Sequence, residues 1–130
     1  MEVVRTERGW VGHFCGASEC LFRRNTLLEC GDTRIIVSTV GLYLPFNYID
    51  TREFQAIGTD GRMFETRAFF AKRKFDRYWD ADVSKQVSFN SKWSIHHADA
   101  DDEANIMHEN VVDEISKNMR ADAPEDIDEK

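Results

Sequence analysis

The stretch that decides the fold is NTLLECGDTRIIVSTV, residues 25–40. Two runs rich in Leu, Ile, Val and Thr flank Gly31-Asp32, and glycine at the first central position suits a type II′ hairpin turn. Counting outward from that turn pairs Cys30 with Thr33, Glu29 with Arg34, Leu28 with Ile35 and Leu27 with Ile36. Opposite charges meet and apolar side chains meet, as a stable antiparallel ladder requires. One face carries Leu28, Ile35 and Val37; the other carries Leu27, Ile36 and the Glu29–Arg34 pair. Both faces are partly apolar, so the hairpin is expected near the middle of a sheet.

Outward from it, FQAIGTDGRMFETRAFFAK (54–72) holds a second turn signal, Asp60-Gly61. Read as a type I′ hairpin, it pairs Ile57 with Phe64 and Gln55 with Thr66. The returning strand sends Phe64, Thr66, Ala68 and Phe70 to one side and Glu65, Arg67 and Phe69 to the other. Further strand is expected in DVSKQVSFNSKWSIH, where Val83, Lys85, Val87 and Phe89 share one parity, and a short one in GWVGHFC. The period then changes. Ala104, Met107, Val111, Ile115 and Met119 recur at spacings of three and four, which predicts an amphipathic helix from Asp101 to Met119. Asp99 is the expected N-cap, and acids in the first turn with Lys117 and Arg120 in the last favour the helix dipole. The fold expected is α+β: a mainly antiparallel sheet of five or six strands with one C-terminal amphipathic helix packed on it. Residues 1–120 form one domain, and 121–130, ADAPEDIDEK, read as an acidic flexible tail.

With 130 residues, 42% of them hydrophobic and 32% charged, the chain has a globular composition and is long enough to bury a core without metal or disulfide. No run approaches the ~20 apolar residues of a membrane span. The first residues lack the apolar centre of a signal peptide. Three cysteines do not make a secreted disulfide framework, so a cytoplasmic setting with reduced thiols is expected. The net charge of −7 is unevenly placed. Residues 98–130 carry twelve acids and three bases; residues 1–97 carry twelve acids and fourteen bases.

His13, Cys15, Cys20 and Cys30 fall within eighteen residues and raise the question of a zinc site. His13, Cys15 and Cys20 could meet if residues 16–19 turn. Cys30 lies at the far end of the strand that the hairpin demands, and the tight C-x2-C knuckle is missing. The thiols are therefore read as packing groups, with His13, Cys15 and Cys20 kept as the metal candidates. A second cluster, His96, His97, Asp99, Asp101, Asp102, Glu103 and His108, matches neither H-E-x-x-H nor an EF-hand loop. Phosphate-loop, dinucleotide and nucleophile-elbow motifs are absent from the sequence. No catalytic residue and no cofactor is assigned, and enzyme activity has no positive support.

Two basic clusters remain: Arg23-Arg24, and Lys72-Arg73-Lys74 with Arg77 beside Phe75, Tyr78 and Trp79. Basic residues among aromatics suit phosphates and stacked bases, yet the bland reading is a solvated loop with its aromatics tucked into the core. The acidic helix and tail read as a solvated face, as a cover for the basic knob, or as a surface for a basic partner. The segments ERGWVGHF, CLFRRNTLLECGDTRIIVSTVG, FETRAFF, YWDADVSKQVSF and DADDEANIMHENVV together resemble a group of small uncharacterised proteins of bacterial mobile elements, phages and plasmids. That resemblance implies a setting in which small accessory proteins bind and modulate host machinery. The functional expectation is thus a protein that binds a host protein, with Arg23, Arg24, Lys72, Arg73, Lys74, Trp79, Asp102, Glu109 and Asp113 as contact candidates. The alternative is a nucleic-acid-binding accessory protein using the basic and aromatic patch; a small metal-binding protein or enzyme stands third.

Overall fold

In the structure, a computed structural model, residues 2–10, 12, 13, 16–48, 50, 51 and 53–122 are described. The chain forms β1 (Val4–Glu7), β2 (Cys20–Cys30), β3 (Thr33–Tyr43), β4 (Phe64–Lys74), β5 (Tyr78–Gln86), β6 (Ser94–Ile95) and α1 (Asp101–Asp122). Five strands follow in the order β1-β2-β3-β4-β5, with β6 pairing β4 beyond the end of β5, and every pairing is antiparallel. The fold is α+β.

The first hairpin has the register its sequence dictates. Cys30 faces Thr33, Glu29 faces Arg34, Leu28 faces Ile35 and Leu27 faces Ile36. Gly31 has φ +61° while Asp32 stays in the ordinary region, as a type II′ turn needs. Arg34 Nε bonds Glu29 Oε2 at 3.0 Å. β2 and β3 both have neighbours on two sides, so the hairpin is central.

The second hairpin does not form as its turn signal suggests. β4 pairs with β3 (Gly41 with Phe64, Thr39 with Thr66), whereas Gln55 bridges Tyr43 and the Ile57 N–H bonds the Arg62 carbonyl. Burial decides this competition. β3 brings Ile35, Ile36, Val37 and Val40 into the core, while residues 53–57 bring only Ile57. The N-terminal strand lies at Val4–Glu7, ahead of the expected GWVGHFC, whose residues 11, 14 and 15 are outside the described set. The helix starts one residue later than an Asp99 cap requires: its first bond runs from Ala104 N–H to the Ala100 carbonyl. It runs to Asp122, the last described residue, so Ala121 and Asp122 belong to the helix and not to the expected tail, whose residues 123–130 lie outside the described residues.

α1 lies on one face of the sheet. Its stripe of Ala104, Met107, Val111, Ile115 and Met119 is buried, with His108 and Val112 beside it. Leu28, Cys30, Ile35, Val37 and Ala68 meet the C-terminal half of the stripe, and Phe64 and Ile95 meet the N-terminal half. Each fully buried aliphatic or aromatic side chain contributes about 1.5–3 kcal/mol. At Gly41 the Phe64 ring packs directly on the backbone, where a Cβ would stand 2.1 Å from a ring carbon.

The opposite face is closed by curvature instead of by a helix. The β4–β5 register slips between Phe69 and Ala71, a bulge that bends the strands and raises their twist. The far end of the hairpin is carried round over the sheet. Arg8, just past the β1 edge, donates to the Trp79 carbonyl on the β5 edge at 2.6 Å and to Asn25 Oδ1 at 2.9 Å. The segment after β1 fills the space beneath, with Gly12 against Ser38 and Val40, and His13 against Ser38 and Phe69.

Candidate interaction site

The end of the β4–β5 hairpin is a sharp turn. Lys74 pairs with Tyr78, and the Arg77 N–H bonds the Lys74 carbonyl at 3.0 Å. Its two central residues, Phe75 and Asp76, have φ of 55° and 54°. Both in the left-handed region make a type I′ turn, a conformation that favours Asn and Gly. A bulky L-residue there costs about 1–2 kcal/mol. The Phe75 ring recovers none of this by burial, for the residue is 76% exposed. Lys72, Arg73, Lys74, Asp76 and Arg77 around it are exposed as well.

The base of the hairpin is held firmly. Trp79 lies partly buried beneath the guanidiniums of Arg34 (4.4 Å to the ring centroid) and Arg73 (5.5 Å). Tyr78 meets Trp10 edge-on at 5.2 Å, and Arg8 stacks over Trp10 at 3.7 Å. Lys74 Nζ is 3.5 Å from Asp80. A fixed stem therefore presents an exposed apolar tip with basic residues on either side of it in the chain. Among the described residues Lys72 and Arg77 form no salt bridge. The expectation that the knob's aromatics tuck into the core holds in part for Tyr78 and Trp79, and fails for Phe75.

The acidic candidates separate on the helix. Asp102 and Asp113 point to solvent, as does Ile106 between them, which is 61% exposed. Glu109 instead turns toward β1 and β2, where its carboxylate accepts from Arg5 at 2.8 and 3.0 Å and from Arg24 at 2.8 Å. The Arg5 bonds lead in holding its carboxyl at about 2. Arg24 also donates to Glu7 at 2.8 and 3.0 Å. Two contact candidates from distant parts of the chain, Arg24 and Glu109, thus bind one another.

Beneath this network lies a polar centre that the sequence does not announce. His108 is fully buried, with Nε2 2.7 Å from Thr26 Oγ1 and Nδ1 2.7 Å from Thr39 Oγ1. Thr26 donates to the Glu7 carboxylate at 2.6 Å, so its oxygen accepts from His108 Nε2–H. Nδ1 then accepts from the Thr39 hydroxyl, which in turn accepts from Thr66 at 2.6 Å. Burial, helped by the Arg24 charge, pushes the His108 imidazolium down to about 4. Its place in the i, i+3, i+4 series (104, 107, 108, 111) was the available signal, but a histidine in an acidic cluster invites a metal reading first.

The metal candidates are drawn into different surroundings. Cys20 is buried with Ala17, Val40 and Ile57, and burial pushes its thiol up to about 11. His13 Nδ1 is 2.9 Å from Ser38 Oγ and Nε2 is 3.7 Å from Glu65 Oε2. Glu65 is nearly buried, which by itself would raise its carboxyl, but the neighbouring His13 ring and the Arg67 guanidinium bonded to it hold it at about 2. Cys15 lies outside the described residues. Among the described residues no three His, Cys, Asp or Glu side chains converge on a point suited to a metal ion. His96 and His97 are exposed, facing Asp60 at 3.6 Å and Glu103 at 3.1 Å. Among the described residues no helix is long and apolar enough to cross a membrane. No protein-family model matches the chain, and neither a curated protein nor a solved structure matches it.

Proposed function

We propose that the protein is a small accessory protein that acts by binding another protein, and that the β4–β5 hairpin tip is its docking element. The observation that carries this reading is Phe75: strained in the left-handed region, exposed, and flanked in the chain by the exposed Lys72, Arg73, Lys74 and Arg77. Strain that a fold leaves uncompensated is a mark of function, because an Asn-Gly turn would hold the same hairpin at lower cost. A rigid stem presenting one aromatic group loses little conformational entropy on binding, which is how anchor residues gain affinity. The partner in this reading is a host protein with an apolar pocket rimmed by carboxylates. The setting is the cytoplasm, in keeping with buried, free Cys20 and Cys30. Asp76, Asp80 and Asp82 offset the bases of the same hairpin, which supports a protein partner over a nucleic acid.

The test pairs capture with stability. Immobilised protein is exposed to bacterial lysate, with and without nuclease treatment, beside the double variant Phe75→Asn/Asp76→Gly. Capture of a specific protein by the wild type, lost in a variant that is at least as stable, is the expected result. Equal capture by both proteins refutes the tip as the docking element. Binding that disappears on nuclease treatment would transfer the reading to nucleic acid.

A further inference from the structure

The chain carries a second exposed patch of opposite character. On the outer face of α1, Ile106 stands between Asp102 and Asp113, both exposed and, among the described residues, without a salt bridge. An apolar centre flanked by carboxylates is the complement of an apolar tip flanked by ammonium and guanidinium groups. We infer that the β4–β5 tip of one molecule docks on the outer α1 face of a second copy, Phe75 against Ile106, with Lys72 and Arg77 facing Asp102 and Asp113. The inference rests on the reading of the tip as a docking element and gives that element its first occupant.

The fold decides between self-docking and docking on a second copy. α1 packs on the face of the sheet that carries Leu28, Ile35, Val37 and Ala68. The hairpin curls over the other face, where Arg8 ties the Trp79 carbonyl to Asn25. Thr26, the next residue, points through the sheet to His108 of the helix. Tip and acidic face of one molecule are therefore separated by the sheet, and the tip can meet such a face only on another molecule. The contact is heterologous, so successive copies extend in an open series instead of closing as a two-fold dimer. A small patch dominated by two apolar side chains and rim charges gives weak binding, with Kd on the order of 0.1–1 mM.

Sedimentation velocity of the full chain tests this over a concentration series at low ionic strength. The wild type is expected to show a concentration-dependent rise in sedimentation coefficient, weakened about tenfold or more by ~0.5 M NaCl, which screens the rim charges. Two charge-reversed variants give the decisive arms: Lys72→Glu/Arg77→Glu, and Asp102→Lys/Asp113→Lys. Each alone places like charges on both patches and stays monomeric, while an equimolar mixture associates again. All four positions are exposed, and unchanged circular dichroism confirms that the variants fold. A wild type that stays monomeric to about 1 mM, association that survives both reversals, or a mixture that fails to restore it overturns the inference. A monomeric wild type that still captures a lysate protein through Phe75 would sink the inference alone. Self-association without capture would sink only the hetero-partner reading.

Discussion

Lowering the pH from 7.5 to 5 should remove a substantial part of the stability of this protein through one side chain, His108. In the unfolded chain its imidazole titrates at its ordinary value of 6.5; in the folded chain burial and the Arg24 charge bring it to about 4, against the raising influence of Glu7 and Glu109. The folded-state value is the lower one, so the unfolded chain binds the extra proton. The contribution is complete above pH 6.5 and is lost as pH falls from 6.5 through 4. With those values, linkage gives a loss of about 2 kcal/mol at pH 5 and about 3 kcal/mol once pH 4 is passed. The hydrogen bonds explain why the proton is resisted. Nδ1 accepts from the Thr39 hydroxyl, so the Nδ1–H of an imidazolium would face that O–H head-on and the hydroxyl would have to give up its acceptor. The carboxylates of Glu7, Glu65 and Glu109 are depressed and lose their contribution as pH falls through about 4.5, below the pH 5 end point of the comparison. Urea unfolding followed by tryptophan fluorescence at pH 7.5, 6 and 5 reads the effect. A loss of about 2 kcal/mol corresponds to a midpoint lower by roughly 1 M. His108→Gln, which cannot titrate, should start less stable at pH 7.5 and lose less than half as much on going to pH 5. A wild-type midpoint that does not move, or a variant with the wild-type slope, would refute the assignment.

Other consequences can be read from the same packing. Thr39→Val leaves His108 Nδ1 without a donor and should cost about 1–3 kcal/mol in urea unfolding, whereas Thr66→Val removes only a terminal hydroxyl of the chain and should cost about 1 kcal/mol. Gly41→Ala drives a methyl group into the buried Phe64 ring, and overpacking of that kind should lower stability by about 1–3 kcal/mol with the fold retained by circular dichroism. Phe75→Asn/Asp76→Gly relieves two left-handed residues, so its melting temperature should rise by several degrees, an increase of about 1–2 kcal/mol. Cys20 should resist a thiol-labelling reagent at pH 8 in the native protein and react readily in urea, because burial raises its thiol to about 11. Peptide mass mapping separates it from the other cysteines.

What the sequence determined by itself is local. The β2–β3 register follows from Gly31-Asp32 and the residues beside it, since turn geometry and alternation fix a ladder whose partners are neighbours in the chain. The α1 stripe follows from the 3–4 spacing, and all five of its predicted residues are buried. The acidic C-terminal quarter is written directly in the composition. What only the tertiary structure decided is every choice between distant competitors. Asp60-Gly61 is a sound turn signal, but β4 gains more apolar burial against β3 than against residues 53–57, so the local preference loses. Phe75 looks like core by residue type, but the β4–β5 pairing puts it at the centre of the connecting turn, past the end of the sheet, where its ring stays in solvent. His108 and Glu109 belong to an acidic run in the sequence; folding brings Thr26, Thr39, Arg5 and Arg24 to them from β1, β2 and β3. The reason is the same in each case: local dihedral and pairing preferences are worth tenths of a kcal/mol to about one per residue, and burying or satisfying a side chain against a distant strand is worth more.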